Sequence, residues 1–233
     1  MGRVATDQRT TNGITKTTSY AYNLDGTLWK LTYPTGREVT YEPGGAGLPR
    51  GATDGTTTYV SVGTATYTPS GAVATLGLQG GTINLLQTYN SRLQAARVRA
   101  TSGSGTVLDL AYDFAWGRAN NGNVMAIANL LHSDRSQSFA YDGLNRLLLA
   151  RTEATSGTYS WGQVFGYDAW GNLLSMTPTQ GTGLVPFSVT VNSKNQFSTL
   201  GYTYDAAGNL TSDGSTWDAE GRLKAGGGVT YTY

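Results

Sequence analysis

The residues of this sequence best suited to chemistry are aspartates that recur three residues before a glycine or an asparagine. Four such pairs occur: Asp142 and Asn145, Asp168 and Gly171, Asp205 and Gly208, Asp218 and Gly221. Carboxylates can act as acids or bind calcium, but calcium needs several oxygen ligands that converge on one point. No Asp-x-Asp-x-Asp-Gly loop occurs, so the spacing instead predicts that each carboxylate caps its own turn.

Few other residues could carry catalysis. His132 is the only histidine, it lies in a polar segment, and the chain has no cysteine. A catalytic triad could therefore be completed only once, and we expect His132 to lie in a solvated loop. The sequence predicts no catalytic residue, no metal site and no cofactor.

The aspartates belong to a seven-residue motif that occurs seven times. Its pattern is aromatic, Asp or Asn, two variable residues, Gly or Asn, a polar residue and an apolar residue, with Val191, Thr68 and Ala72 as departures. Position 5 is always Gly or Asn, the residues that tolerate a left-handed backbone. Each copy therefore predicts a strand, a tight turn with a glycine bulge, and a returning strand. Positions 1 and 7 of the copies are Tyr22 and Leu28, Tyr67 and Val73, Tyr141 and Leu147, Tyr167 and Leu173, Val191 and Phe197, Tyr204 and Leu210, and Trp217 and Leu223.

The composition points to a turn-rich all-β chain and excludes some partners. The 233 residues include 32 Gly and 15 Tyr, and only 13% of them are charged, against roughly 25% in an average soluble domain. A net charge of +1 gives no electrostatic reason to expect a nucleic acid. No apolar run reaches the roughly 18 residues of a membrane span, so we expect no membrane insertion.

The motif spacing predicts one repeat array over residues 1–233, which we expect to be a fragment of a longer protein. Residues 114–121 separate the parts of one motif and are interpreted as an insertion in a turn. Residues 82–101 could form a helical stripe, but the repeat context favours strands. A β-propeller is the competing fold, although it needs four strands in about 40–45 residues, and the C-terminal motifs start 13 residues apart.

The motif resembles the YD repeats of bacterial Rhs proteins, which also build the shells of teneurins and of the BC component of insecticidal toxin complexes. The copies at 141–147, 167–173, 204–210 and 217–223 carry the resemblance most strongly. It implies repetitive antiparallel β-hairpins that form a spiralling, curved YD-repeat sheet, a partial shell or open barrel. Self-cleavage in that family is linked to an Asp-Pro-x-Gly-Leu type of segment. This sequence has no Asp-Pro dipeptide, so that activity is not carried over.

The resemblance implies a non-catalytic shell segment that encapsulates or presents another polypeptide, a toxin in the bacterial relatives. Partners would be a polypeptide cargo or neighbouring shell repeats, and the location would be secreted or at a bacterial cell surface. Exposed sheet edges would also allow self-association. The alternative is an adhesion or carbohydrate-binding module, because Trp116 in the insertion and Trp170 in a turn could face a glycan. An enzyme is the third and least favoured hypothesis.

Overall fold

The computed structural model describes residues 2–11, 13–115, 117, 119–199 and 201–232. Contacts divide the chain into two units, residues 1–114 with 127–133, and residues 115–126 with 134–233. Each unit is built from short antiparallel strands, so the predicted all-β class with repeated hairpins is confirmed. Within the described ranges, no helix is long and apolar enough to cross a membrane. The prediction of a single array stays a prediction.

The described residues up to 115 form eleven strands and one short 3₁₀ turn, Gln79–Gly81. The strands Ile83–Tyr89 and Ala95–Ser102 cover most of 82–101, as the repeat context predicted, and Gly80 and Gly81 turn the chain before them with positive φ. The bounds of the eleven strands are β1 Thr6–Thr11, β2 Ile14–Tyr22, β3 Leu28–Thr32, β4 Glu38–Pro43, β5 Pro49–Thr53, β6 Thr58–Val60, β7 Thr66–Tyr67, β8 Val73–Leu78, β9 Ile83–Tyr89, β10 Ala95–Ser102 and β11 Gly105–Asp113.

Among the residues that the structure describes beyond 115, there are nine strands and a second 3₁₀ turn, Ser133–Arg135. The strands shorten towards the C-terminus, where two motifs close on single bridges, Val191 with Phe197 and Tyr204 with Leu210. The bounds of the nine strands are β12 Ala126–Asn129, β13 Gln137–Tyr141, β14 Leu147–Thr152, β15 Trp161–Tyr167, β16 Leu173–Gly181, β17 Phe187–Ser188, β18 Thr216–Trp217, β19 Leu223–Gly226 and β20 Val229–Thr230.

The hairpins share one register. In every one of the seven motifs, the residue at position 1 pairs with the residue at position 7. In the five motifs that lie within named strands, a register shift falls directly before position 1, as at Ala140/Tyr141. A bulge at that point fits a five-residue loop closed by a left-handed residue, and it adds to the local twist of the strands.

The two faces of the sheet differ in polarity between β8 and β11. One transverse row consists of Leu76, Leu85, Ala100 and Leu108, and the row on the opposite face of Thr75, Leu86, Arg99 and Asp109. Because side chains alternate between faces along a strand, one face is apolar and the other mainly polar. Among the described residues no large side chain is fully buried, and the buried apolar residues are Val39, Ala65, Ala100, Ala150 and Val189.

Candidate functional site: the repeated turns

Each motif closes its turn with the same pair of backbone hydrogen bonds. The N–H of position 2 donates to the carbonyl of position 6, and the N–H of position 5 donates to the carbonyl of position 2. All seven copies make both bonds, at 2.8–3.3 Å. Position 5 has positive φ in every copy, including 62° at Asn145 and 57° at Asn195. The five glycines at position 5 are Gly26, Gly71, Gly171, Gly208 and Gly221.

The aspartate at position 2 uses its two carboxylate oxygens for separate tasks. In Asp142, Oδ1 accepts the N–H groups of Leu144 and Arg146 at 2.8 and 2.9 Å, and Oδ2 accepts Nε of Arg146 at 2.6 Å. In the other three turns, Oδ1 of Asp168, Asp205 and Asp218 likewise accepts the backbone N–H groups of positions 4 and 6. Their Oδ2 atoms accept hydrogen bonds from Nδ2 of Asn172, Nδ2 of Asn209 and Nε of Arg222, at 2.8, 3.0 and 2.7 Å.

These hydrogen bonds stabilise the charged form of each carboxyl group. The Asn172 side-chain amide and backbone N–H groups hold the pKa of Asp168 below its ordinary value, and the pKa of Asp205 is lowered by Asn209 in the same way. For Asp142 and Asp218, the backbone N–H of Arg146 and of Arg222 makes the largest contribution to the lowered pKa. A carboxyl with a lowered pKa whose oxygens already accept three donors is a turn cap and a poor proton donor.

The aromatic residue at position 1 reaches back to the preceding motif. Tyr167 donates its hydroxyl to the carbonyl of Leu147 at 3.0 Å, and Trp217 donates Nε1 to the carbonyl of Leu210 at 2.6 Å. In both cases the acceptor is position 7 of the motif before. Tyr204 contacts the same position differently, because its hydroxyl accepts the N–H of Phe197 at 2.9 Å. The hydroxyls of Tyr22, Tyr67 and Tyr141 also reach backbone carbonyls, those of Val4, Pro49 and Val124.

Position 6 makes a second link between neighbouring motifs. Arg146 donates Nη1 to the carbonyl of Asp168 at 2.8 Å, and its guanidinium lies 4.9 Å from the ring centroid of Tyr167. Asn172 donates Nδ2 to Oδ1 of Asn195 at 3.1 Å. One side chain thus serves its own turn and the next, so consecutive motifs are joined by polar contacts as well as by strand pairing.

Three further copies of the turn are harder to recognise in the sequence. The turns closed by Gly36, Gly47 and Leu93 make the same two backbone bonds. The copy at 89–95 keeps Tyr89 and Asn90 but has Leu93 at position 5, with φ 62°. The repeat context favoured strands over 82–101, but leucine at position 5 breaks the Gly-or-Asn rule and hides the turn between them. The Tyr-Asn pair at positions 1 and 2 is the signal that identifies it.

The possible ligand-facing residues are placed only in part. Trp170 is 84% exposed at position 4 of its turn, while Trp116 and part of the predicted insertion 114–121 lie outside the described residues. His132 is exposed, and its backbone N–H donates to Oδ1 of Asn129. The predicted aromatic and apolar motif residues from Tyr22 to Leu223 are all half-buried. Across the described part of the chain, no group of three or more His, Cys, Asp or Glu side chains is placed to hold a metal ion.

The linked turns and the antiparallel strands define a repeat sheet of the YD type. Part of the chain in several solved structures of Tc toxin complexes aligns with this fold. A variant Tc holotoxin pore of Photorhabdus luminescens aligns with a TM-score of 0.74 and 19% identity, over 90% of this chain and 12% of that chain. A crystal structure of TcdB2-TccC3 gives a TM-score of 0.72 at 19% identity, over 91% of this chain and 12% of that one.

A third structure, TcdB2-TccC3 without the hypervariable C-terminal region, gives a TM-score of 0.71 at 18% identity, over 94% of this chain and 13% of that one. The resemblance to YD-repeat proteins is therefore confirmed for the fold. This chain spans only 12–13% of the length of these solved chains. The sequence matches no protein-family model, and no curated protein matches it.

Proposed function

We propose that this chain is a non-catalytic structural segment of a YD-repeat shell, which encapsulates or presents another polypeptide. The observation that carries this proposal is the use of the motif residues. Carboxylates, amides and aromatic hydroxyls that could have formed a reactive site are bonded within their own turn or to the preceding motif. Such residues build and extend a sheet, and function would belong to the surface that the sheet presents.

The likeness in fold to parts of Tc toxin complexes supports this proposal. In this hypothesis the partner is a polypeptide cargo or a neighbouring repeat, and the protein acts outside the bacterial cell that makes it. Electron microscopy and limited proteolysis of the protein that carries this sequence provide the test. We expect a hollow particle in which a cargo segment is protected from protease. A compact particle without a lumen would contradict the proposal.

A second candidate function, carbohydrate binding, is favoured by one observation. The indole of Trp170 is exposed at a turn corner, and an exposed aromatic ring is a suitable platform for an apolar face of a sugar. A glycan array tests this candidate, with Trp170→Ala as the diagnostic variant and Trp161→Phe, which alters a half-buried tryptophan, as a control. Glycan signals that Trp170→Ala leaves unchanged would exclude Trp170 as the platform.

A further inference from the structure

A charged cluster lies on the polar face of β10 and β11. Arg97 and Arg99 are two residues apart on β10 and therefore point to the same face, with Asp109 opposite Arg99 on β11. Arg97 holds this carboxylate in a bidentate pair, Nε to Oδ1 at 2.7 Å and Nη2 to Oδ2 at 2.6 Å. Asp109 is only 6% exposed, and the hydrogen bond from Arg97 lowers its pKa. One carboxylate thus lies between two guanidinium groups, and one positive charge is left over.

The surplus charge belongs to Arg99. Its Nη2 donates to Oγ1 of Thr106 at 2.9 Å, while its Nε lies 3.8 Å from Oδ2 of Asp109. That distance is too long for a hydrogen bond. Nε is buried and has no hydrogen-bond partner among the described residues. Buried donors are almost always paired in folded proteins, so the Arg99 guanidinium is under-satisfied. Nε itself is too buried to meet a ligand and has only the long ion pair with Asp109, so a ligand would bind the exposed part of the side chain, which is 43% accessible.

A cavity of about 350 Å³ lies beside Arg99 on this face. Strand register places two transverse rows of the polar face along it, one containing Thr75, Leu86 and Arg99, the other Gly77, Asn84 and Thr101. Thr64 covers Gly77, and its Oγ1 accepts the Gly77 N–H at 3.0 Å. Leu86 is 44% exposed although it lies on the polar face. The cavity therefore has an apolar patch next to an incompletely paired cation.

We propose that this cavity binds a monocarboxylate with a short aliphatic stem. The planar guanidinium of Arg99 presents N–H donors in the geometry that a carboxylate accepts, and the stem would pack on Leu86. A single negative charge matches the single surplus positive charge. A phosphate dianion fits less well, because its second charge would be repelled by the nearby Asp109 carboxylate.

Two sources share this ligand chemistry: a glutamate side chain of another polypeptide and a free short-chain carboxylate. The site does not depend on the proposed shell function, since the cavity, the cluster and the under-satisfied guanidinium are formed by β8–β11 together with Thr64.

The test is a titration of the ¹⁵N-labelled chain with sodium butyrate at constant ionic strength, followed by NMR of the arginine Nε–Hε signals. We expect the Arg99 signal to shift with a Kd on the order of 1 mM, because the guanidinium is partly solvated and such ion pairs are weak. Butyramide, the neutral analogue, should leave the signal in place. This comparison uses the unmodified protein and so does not depend on how any variant folds.

Variants locate the site. Arg99→Gln should weaken butyrate binding at least about tenfold, the loss of one charge-assisted contact. Arg97→Gln should also weaken it, because Asp109 would then pair with Arg99 and occupy the site. Arg9→Gln removes the same charge from β1 and should leave the affinity unchanged. Thermal melting shows that each variant is folded, and binding is then read from the backbone signals of Leu86 and Thr101.

Two short peptides distinguish the sources, acetyl-Gly-Glu-Gly-amide and the matched Gln peptide. Tighter binding of the Glu peptide than of butyrate assigns the site to an acidic polypeptide, and binding of butyrate alone assigns it to a free carboxylate. The proposal is overturned if butyramide binds as well as butyrate, if Arg99→Gln leaves the affinity unchanged, or if butyrate at tens of millimolar shifts no signal around Arg99.

Discussion

The turns at 89–95 and 167–173 have the same backbone but different sequences at their most demanding position. Both close with the two backbone bonds described above, and both cap the turn with the Oδ1 atom of position 2, from Asn90 or Asp168. Both tyrosines donate to the position 7 carbonyl of the preceding motif. Yet position 5 is Gly171 with φ 92° in one and Leu93 with φ 62° in the other.

The difference shows that the turn is specified by several contacts at once. A left-handed conformation costs a residue with a side chain roughly 1–2 kcal/mol, and leucine offers no polar group that could offset the cost. The turn at 89–95 still forms, because Asn90, Tyr89 and the pairing of β9 with β10 supply the remaining contacts. Position 5 decides whether the turn is strained, and the contacts of positions 1 and 2 offset that strain where it occurs.

The largest effect is expected from a β-branched residue at position 5. Gly171→Val should lower the free energy of unfolding by about 2 kcal/mol, since it forces valine into a left-handed backbone. Leu93→Val should cost much less, because leucine already bears most of that strain. Gly171→Asn should be mild, as Asn145 and Asn195 occupy this position elsewhere. Urea denaturation measures all three, and equal losses for the two valine variants would contradict the comparison.

The second effect concerns the hydrogen bond from the tyrosine hydroxyl at position 1, which is present in both turns. Tyr167→Phe and Tyr89→Phe should each lower the free energy of unfolding by about 1 kcal/mol, the usual contribution of one hydrogen bond. The hydroxyl of Tyr89 also lies 2.8 Å from Oε1 of Gln87, so its loss should be at least as large.

Tyr231→Phe is the matched control for the hydroxyl prediction, because Tyr231 is exposed near the C-terminus of the described chain. Its stability in urea should equal that of the unaltered protein. If Tyr167→Phe and Tyr231→Phe had the same midpoint, the bond to Leu147 would contribute nothing to the link between motifs.

The sequence predicts the turns well because their determinants are local. Asp or Asn at position 2 and Gly or Asn at position 5 lie within one five-residue loop, so spacing alone reveals them. Leu93 breaks the Gly-or-Asn rule, and the strand pairing that offsets its strain is not encoded in the loop sequence. The Arg99 cavity could not be foreseen either. It needs the register of β8, β9 and β10 and the position of Thr64, all set by contacts distant in sequence.

A smaller, stabilising effect is expected at the exceptional turn. Leu93→Gly relieves the left-handed strain but adds unfolded-state entropy worth roughly 0.5–1 kcal/mol, so the net gain should be about 0.5 kcal/mol. Leu93 is 64% exposed, so little buried surface is lost. Leu144→Gly is the control, since Leu144 is also exposed but has no positive φ. A loss of stability in both variants would show that Leu93 is not strained.

The smallest expected effect is a pH dependence of stability that is present in the turn at 167–173 and absent from the turn at 89–95. The hydrogen bonds from Asn172 lower the pKa of Asp168 in the folded protein, whereas Asn90 does not titrate. A carboxyl whose folded pKa lies below its unfolded value, about 3.9, contributes stability that is present above that value and is lost as pH falls through the folded pKa. Melting should therefore become acid-sensitive below about pH 4, and Asp168→Asn should reduce that sensitivity.

The acid sensitivity is shared with Asp142, Asp205 and Asp218, whose pKa values are lowered in the same way. One substitution should therefore remove only part of it. Amide exchange resolves the effect turn by turn: acid should increase opening at Gly171 but not at Leu93, after correction for the intrinsic rate. Equal opening at both would mean that the carboxylate adds nothing that the asparagine amide does not already supply, and the two turns would then differ only at position 5.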